Sequence, residues 1–173
     1  MTNKEIKRIQ SLKRNKFRKE HGQFLIEGKR LVQSALERKV ELDLIYFTEP
    51  FQRENTEWIQ SIASSGVSYE HIPNNQLGQI SFTKSPAGIV AVCTLSEQKP
   101  PDLNQNQWVY IDRIADPGNM GTILRSAAWF GLKHVALSVD CVDPFNPKVV
   151  RAGMGAHFGI SIYRNVDLDC FSK

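Results

Sequence analysis

A chain of 173 residues that is 41% hydrophobic has enough apolar surface for one medium domain, or two small ones, with a real core. No apolar segment follows the charged N-terminus and no apolar run approaches 18 residues, so neither a signal peptide nor a transmembrane helix is predicted, and no membrane partner is expected. Cys93, Cys141 and Cys170 are odd in number and far apart, which fits neither a zinc site nor a disulfide framework; no metal is expected, and a reducing cytoplasm is the simplest home.

The net charge of +4 is unevenly placed. Residues 1–20 hold eight Lys or Arg against Glu5 and Glu20, so this stretch alone is +6 and the rest of the chain is slightly acidic. Such localised basicity points to a polyanion bound through its phosphates, with Lys13, Arg14, Lys16 and Arg18 as candidate RNA contacts. The alternative is a solvated helix that only keeps the chain soluble. Ile6, Ile9 and Leu12 recur at three-residue spacing and predict a short amphipathic helix within this basic arm.

Phe24 to Glu27 reads as a strand, and Gly28 lets the chain turn into a helix with Leu31, Val32, Ala35 and Leu36 on one face. Strands are predicted at 42–47, 67–72 and 88–95, and helices at 56–65 and, capped by Asn74 or Asn75, through Leu77 and Ile80. That alternation describes a small α/β layer domain. Residues 96–107 are polar with a Pro pair and form the best linker.

The following strand, Trp108 to Asp112, runs into Asp116-Pro-Gly-Asn119, read as a type II turn with Asn119 as helix N-cap. Met120, Ile123, Leu124, Ala127 and Ala128 give the helix an apolar stripe, and Gly131 closes it. Arg125 falls off the stripe, on the face of Gly118 and Thr122, where its guanidinium would overhang the turn and suit an anionic ligand. Arg113 and Asp116 are expected to brace the turn as an ion pair, and Trp129 to pack in the core at the helix end, the alternative being a stack on a base or on a partner subunit. Neither a dinucleotide fingerprint nor a P-loop is present. Strands follow at 134–139 and 160–163, with a helix between them that Asn146 caps and Pro147 begins. Its Arg151 is either an RNA phosphate contact or half of a structural ion pair, and Gly153 and Gly155 suit close helix packing. Parallel strands with intervening helices predict a sheet covered on both faces. His21, His71, His134 and His157 show no ligand or triad spacing and are assigned no chemistry.

Asn119, Gly121 and Arg125, followed by Phe130-Gly131, form an Asn-x-Gly-x-x-x-Arg motif with a trailing Phe-Gly, and Asn146-Pro-Lys-Val-Val-Arg151 follows in order. Phe24, Glu27 and Gly28 make a Phe-x-x-Glu-Gly opening upstream. Together these resemble the SpoU (TrmH-like) RNA methyltransferases of the SPOUT superfamily. The resemblance implies an α/β protein: a basic arm at 1–20, a ribosomal-protein-like RNA substrate-binding domain at 21–95, a linker at 96–107, and the first part of a trefoil-knot SPOUT domain at 108–173. It implies S-adenosylmethionine-dependent methylation of a ribose 2′-hydroxyl in tRNA or rRNA, and a homodimer. Arg125 is implicated in activating that hydroxyl, and Asn119 in holding the loop.

The family's later Gly-Glu-Gly and Ser-Leu-Asn-Val segments do not occur in the sequence. Cofactor-binding residues are therefore unassigned and expected beyond Lys173, and the chain is expected to be a fragment with a truncated sheet. The main alternative is an RNA-binding module with a vestigial methyltransferase domain; a phosphate-binding enzyme built on the turn ranks last.

Overall fold

The computed structural model describes residues 1–64, 66–96, 100–102 and 107–171. It separates into two compact units, Met1–Leu95 and Ser96–Lys173. Parts of the expected linker, 97–99 and 103–106, lie outside the described residues, as does Ser65 at the end of an expected helix.

The first unit opens with α1 (Asn3–Ser11) and α2 (Asn15–His21). Thr2 and Glu5 form a reciprocal capping box that starts α1, the Glu5 N–H donating to Thr2 Oγ1 at 3.3 Å and the Thr2 N–H to Glu5 Oε2 at 2.6 Å. Ile6, Ile9 and Leu12 are buried against Leu25, Tyr46, Ile72, Leu77 and Ile80. The basic segment is therefore no free arm. Its apolar stripe is part of the core, and only its polar side faces out. Arg18 corrects the sequence reading: it is 2% exposed, and its Nη1 donates to the Leu12 carbonyl at 2.7 Å, so it is spent inside the fold.

The chain continues through β1 (Gln23–Glu27), α3 (Lys29–Glu37), β2 (Leu42–Phe47), α4 (Glu49–Glu54), α5 (Thr56–Ser64), β3 (Tyr69–His71), α6 (Asn74–Ile80) and β4 (Ile89–Thr94). The sheet order is β1-β4-β2-β3, with β4 antiparallel to both β1 and β2, and β3 parallel to β2. As the strand flanked on both edges, β4 is buried from Ile89 to Cys93, which explains its unbroken apolar run. Helix α4 has one buried residue, Phe51, in six, too few to show a period. Pro73, and neither Asn74 nor Asn75, occupies the N-cap of α6.

The second unit is β5 (Trp108–Ile111), α7 (Pro117–Trp129), β6 (His134–Leu137), α8 (Pro147–Gly153) and β7 (Ser161–Tyr163), with parallel strands in the order β5-β6-β7. Because the order advances in one direction, crossovers of one hand bring both helices to the same face. There Met120, Leu124 and Ala127 of α7 and Val149 of α8 pack on Ile111, Val135 and Leu137. Of the cover expected on both faces, helices supply one side only. Among the described residues, the opposite face carries aromatic rings: Trp108 lies 5.1 Å from His134, 5.1 Å from Tyr163 and 5.2 Å from Phe171, centroid to centroid. Phe171 comes from a single 3-10 turn, Leu168–Phe171.

Candidate active site

Helix α7 begins at the C-terminal end of β5, where ligands bind in open α/β sheets. Its approach is fixed by backbone bonds. Arg113 adopts φ of +50°, and its N–H donates to Ser138 Oγ at 2.9 Å, tying the ends of β5 and β6 together. The Val142 N–H donates to the Ile114 carbonyl at 2.8 Å.

The N-cap is Asp116, whose Oδ1 accepts from the Asn119 N–H at 2.7 Å; Pro117 is the first helical residue. The expected type II turn with Asn119 as cap is thus corrected by three residues. An Asx-Pro pair starts the helix here as it does at Asn146-Pro147, where Asn146 Oδ1 accepts from the Lys148 N–H at 2.9 Å. With Asp116 engaged as a cap, Arg113 pairs with Asp112 at 2.9 Å, and that bond holds its guanidinium pKa above the ordinary arginine value. At the other end Gly131, at φ of +77°, closes the helix. The Leu132 N–H reaches the Ala127 carbonyl at 3.0 Å, and the Gly131 N–H reaches that of Ala128 at 3.2 Å.

Gly121 serves packing. A Cβ there would lie 2.4 Å from Ala152 Cβ and 2.8 Å from the Val149 carbonyl oxygen, so α7 and α8 meet backbone to backbone. Gly153 is equally constrained, since its Cβ would fall 2.7 Å from the His157 ring. His157 itself is buried, with Nε2 2.8 Å from the Pro144 carbonyl and Phe145 beside it. Its Nδ1 finds no partner among the described residues, and burial lowers its pKa to about 4. No spacing in the sequence marked this histidine.

With its core face fixed, α7 presents Thr122, Arg125, Ser126 and Trp129 outward, at i, i+3, i+4 and i+7. Together with Phe130 they line an open groove of about 460 Å³, within the usual range of ligand sites. Thr122 Oγ1 is bonded to the Gly118 carbonyl at 2.9 Å. Neither the Arg125 guanidinium nor the Ser126 hydroxyl has a partner among the described residues. Trp129 is 86% exposed and Phe130 78%, which overturns the expectation that Trp129 closes the core. Arg125 looks onto this groove, not onto the mouth of the turn, and none of Asp116, Pro117, Gly118 or Asn119 lines it. Asn119 is exposed in the first turn, about 9 Å along the helix axis from Arg125 at 1.5 Å per residue, and no hydrogen bond joins the two side chains. Arg151 is exposed on α8, outside the groove. The structure therefore keeps Arg125 apart from the other two candidates and supplies Ser126, Trp129 and Phe130, which counting outward from Arg125 would have found. Lys13, Arg14 and Lys16 are all exposed on the first unit.

Residues 106–173 match the SpoU rRNA Methylase family, and residues 3–91 match the MRM3-like substrate binding domain. The chain belongs to the proteins that join an MRM3-like substrate binding domain to a SpoU methylase family domain. It is 33% identical over 152 residues to an uncharacterized tRNA/rRNA methyltransferase of Synechocystis, covering 87% of this chain and 56% of that protein. It is 32% identical over 162 residues to the 23S rRNA (guanosine(2553)-2′-O)-methyltransferase RlmP of Bacillus subtilis, covering 94% and 62%. The AdoMet-bound rRNA methyltransferase of Sinorhizobium meliloti superposes with a TM-score of 0.78 at 28% identity, over 95% of this chain and 62% of that one. The SpoU chain thus spans a little over half the length of these relatives.

Proposed function

We propose that this SpoU chain supplies the RNA-side residues of an S-adenosylmethionine-dependent methyltransferase acting on a ribose 2′-hydroxyl of rRNA or tRNA. The observation that carries this is the Arg125 groove. An unpartnered guanidinium beside a free hydroxyl and two exposed rings, on the family's motif helix, fits a nucleotide and its phosphate.

A ribose hydroxyl is a weak nucleophile, so transfer needs alignment and stabilisation of the developing alkoxide. An arginine holds its proton too firmly to act as base. Arg125 instead grips the phosphate next to the target ribose and stabilises negative charge on the attacking oxygen, while Ser126 adds a hydrogen bond within the same groove. Asn119 and Arg151, outside the groove, are placed to contact flanking RNA.

When bound, S-adenosylmethionine supplies the electrophilic methyl group. The α7 groove does not fit it: the groove is open, and its single charge is a cation, which repels a sulfonium. That misfit favours a second reading for the polypeptide by itself, RNA binding without transfer. A homodimer, which the family resemblance implies, would have to leave Trp129 and Phe130 open to RNA in this groove. Three free cysteines suit the cytoplasm.

The test uses the complete protein with ribosomal RNA and labelled S-adenosylmethionine. Label should appear in alkali-resistant dinucleotides, because methylation removes the 2′-hydroxyl that alkaline cleavage requires. Label found only in alkali-sensitive mononucleotides would place the methyl group on a base and refute the reading.

A further inference from the structure

The first unit gathers cations at one end of its sheet, around a loop that a single carboxylate holds. Glu27, the last residue of β1, receives the Phe82 N–H on Oε1 at 2.9 Å and the Thr83 hydroxyl on Oε2 at 3.3 Å, and the Ser81 hydroxyl donates to Oε2 as well. The Ser81 and Thr83 hydroxyls are themselves 3.0 Å apart. Three donors thus lock the start of the α6–β4 loop to the end of β1. The loop's other end is held too. The Thr48 N–H donates to the Gly88 carbonyl at 3.0 Å, and Ala87 Cβ lies 3.8 Å from where a Cβ on Gly28 would be.

The segments so joined carry particular charges. Lys13 Nζ sits 5.1 Å from the Phe82 ring centroid, a cation–π contact joining the α1–α2 corner to the loop. Lys84 follows Thr83 and is exposed; Lys29 and Arg30 follow Gly28 and are exposed. Lys29 reaches Asn55 Oδ1 at 2.6 Å and lies over Trp58, whereas Lys84 and Arg30 have no partner among the described residues. Against these four cations stands Glu27, with both oxygens engaged, while Glu49 at the start of α4 is paired with Arg53.

We infer that this end of the sheet, with Lys13, Lys84 and Arg30 presented around the Glu27-held loop, is the surface on which the first unit binds the RNA phosphate backbone. Glu27 is the positioning residue. The inference rests on the reading that the chain binds RNA, and it joins the α1–α2 corner of the basic stretch to a built edge. Cations carried on a loop and helix start that the fold holds in place suit a folded backbone, where a free arm would match only charge density.

Filter binding of total bacterial ribosomal RNA to the full chain tests it, with salt varied. The Lys84→Glu, Arg30→Glu double variant should lose at least about tenfold in affinity, and its salt slope should shrink by about two, one per phosphate contact. Lys39→Glu, one such charge reversal beyond the opposite end of α3, should stay within about twofold of the parent. Glu27→Ala should weaken binding several-fold, and Glu27→Gln, whose amide oxygen and nitrogen can serve the same partners, should restore it. Equal losses in the double variant and Lys39→Glu would overturn the inference and leave RNA binding intact. Parental affinity in Glu27→Ala would remove the positioning role. Absence of RNA binding by the parent chain would overturn the underlying reading itself.

Discussion

Two arginines, each on a basic or amphipathic helix, have opposite fates in this molecule. Arg18 in the first unit is enclosed and hydrogen-bonded to Leu12; Arg125 in the second stands in an open groove with its guanidinium uncommitted. Charge density would have chosen the first, because it lies in the most basic stretch of the chain. What separates them is whether the fold consumes the group's hydrogen-bonding capacity. In the first unit polar groups are largely spent on holding segments together, as Glu27 is by Ser81, Phe82 and Thr83. In the second unit apolar and glycine contacts hold α7 against α8, leaving polar groups free for a ligand.

The largest effect that tests this contrast comes from the histidine at the α7–α8 packing. His157 has a folded pKa of about 4 against 6.5 for the free group, so the unfolded state binds more protons between these values. Its contribution is therefore intact above pH 6.5 and is lost as pH falls towards 4, by about 3 kcal/mol in all. Urea unfolding of the second unit should show that loss, and His157→Gln should flatten it. A midpoint independent of pH over this window would mean that His157 is not enclosed as described.

A smaller effect concerns Arg18. Arg18→Met should cost about 1–3 kcal/mol in unfolding free energy, since the Leu12 carbonyl loses its donor in a buried place. It should leave the salt dependence of RNA binding unchanged, whereas Arg14→Glu, at an exposed position, should lower affinity. Equal effects on binding would show that the two residues belong to one RNA surface, and the contrast would break.

Local signals in the sequence read well. The α7 stripe, the Gly131 closure and the Asn146-Pro147 start depend on neighbours within a few residues, and each stands as read. The cap of α7 is ambiguous in the sequence because Asp116 and Asn119 are both good caps, three residues apart; Pro117, suited to the first helical position, distinguishes them. Less legible was everything decided by tertiary contact. The burial of Arg18, the exposure of Trp129, the enclosure of His157 and the Glu27 loop attachment join segments that no period relates. The family motif led to Arg125, but the free Ser126 hydroxyl and the two rings beside it emerged only once α7 had a core face.

The measurement that bears most directly on the account is single-turnover methyl transfer by the complete protein carrying Arg125→Ala, with RNA affinity measured on the same sample. The account expects the rate to fall by about 100- to 1,000-fold, the usual cost of losing one charge-stabilising donor, with affinity nearly unchanged because the first unit supplies most phosphate contacts. A parental rate, or a loss confined to affinity, would contradict it.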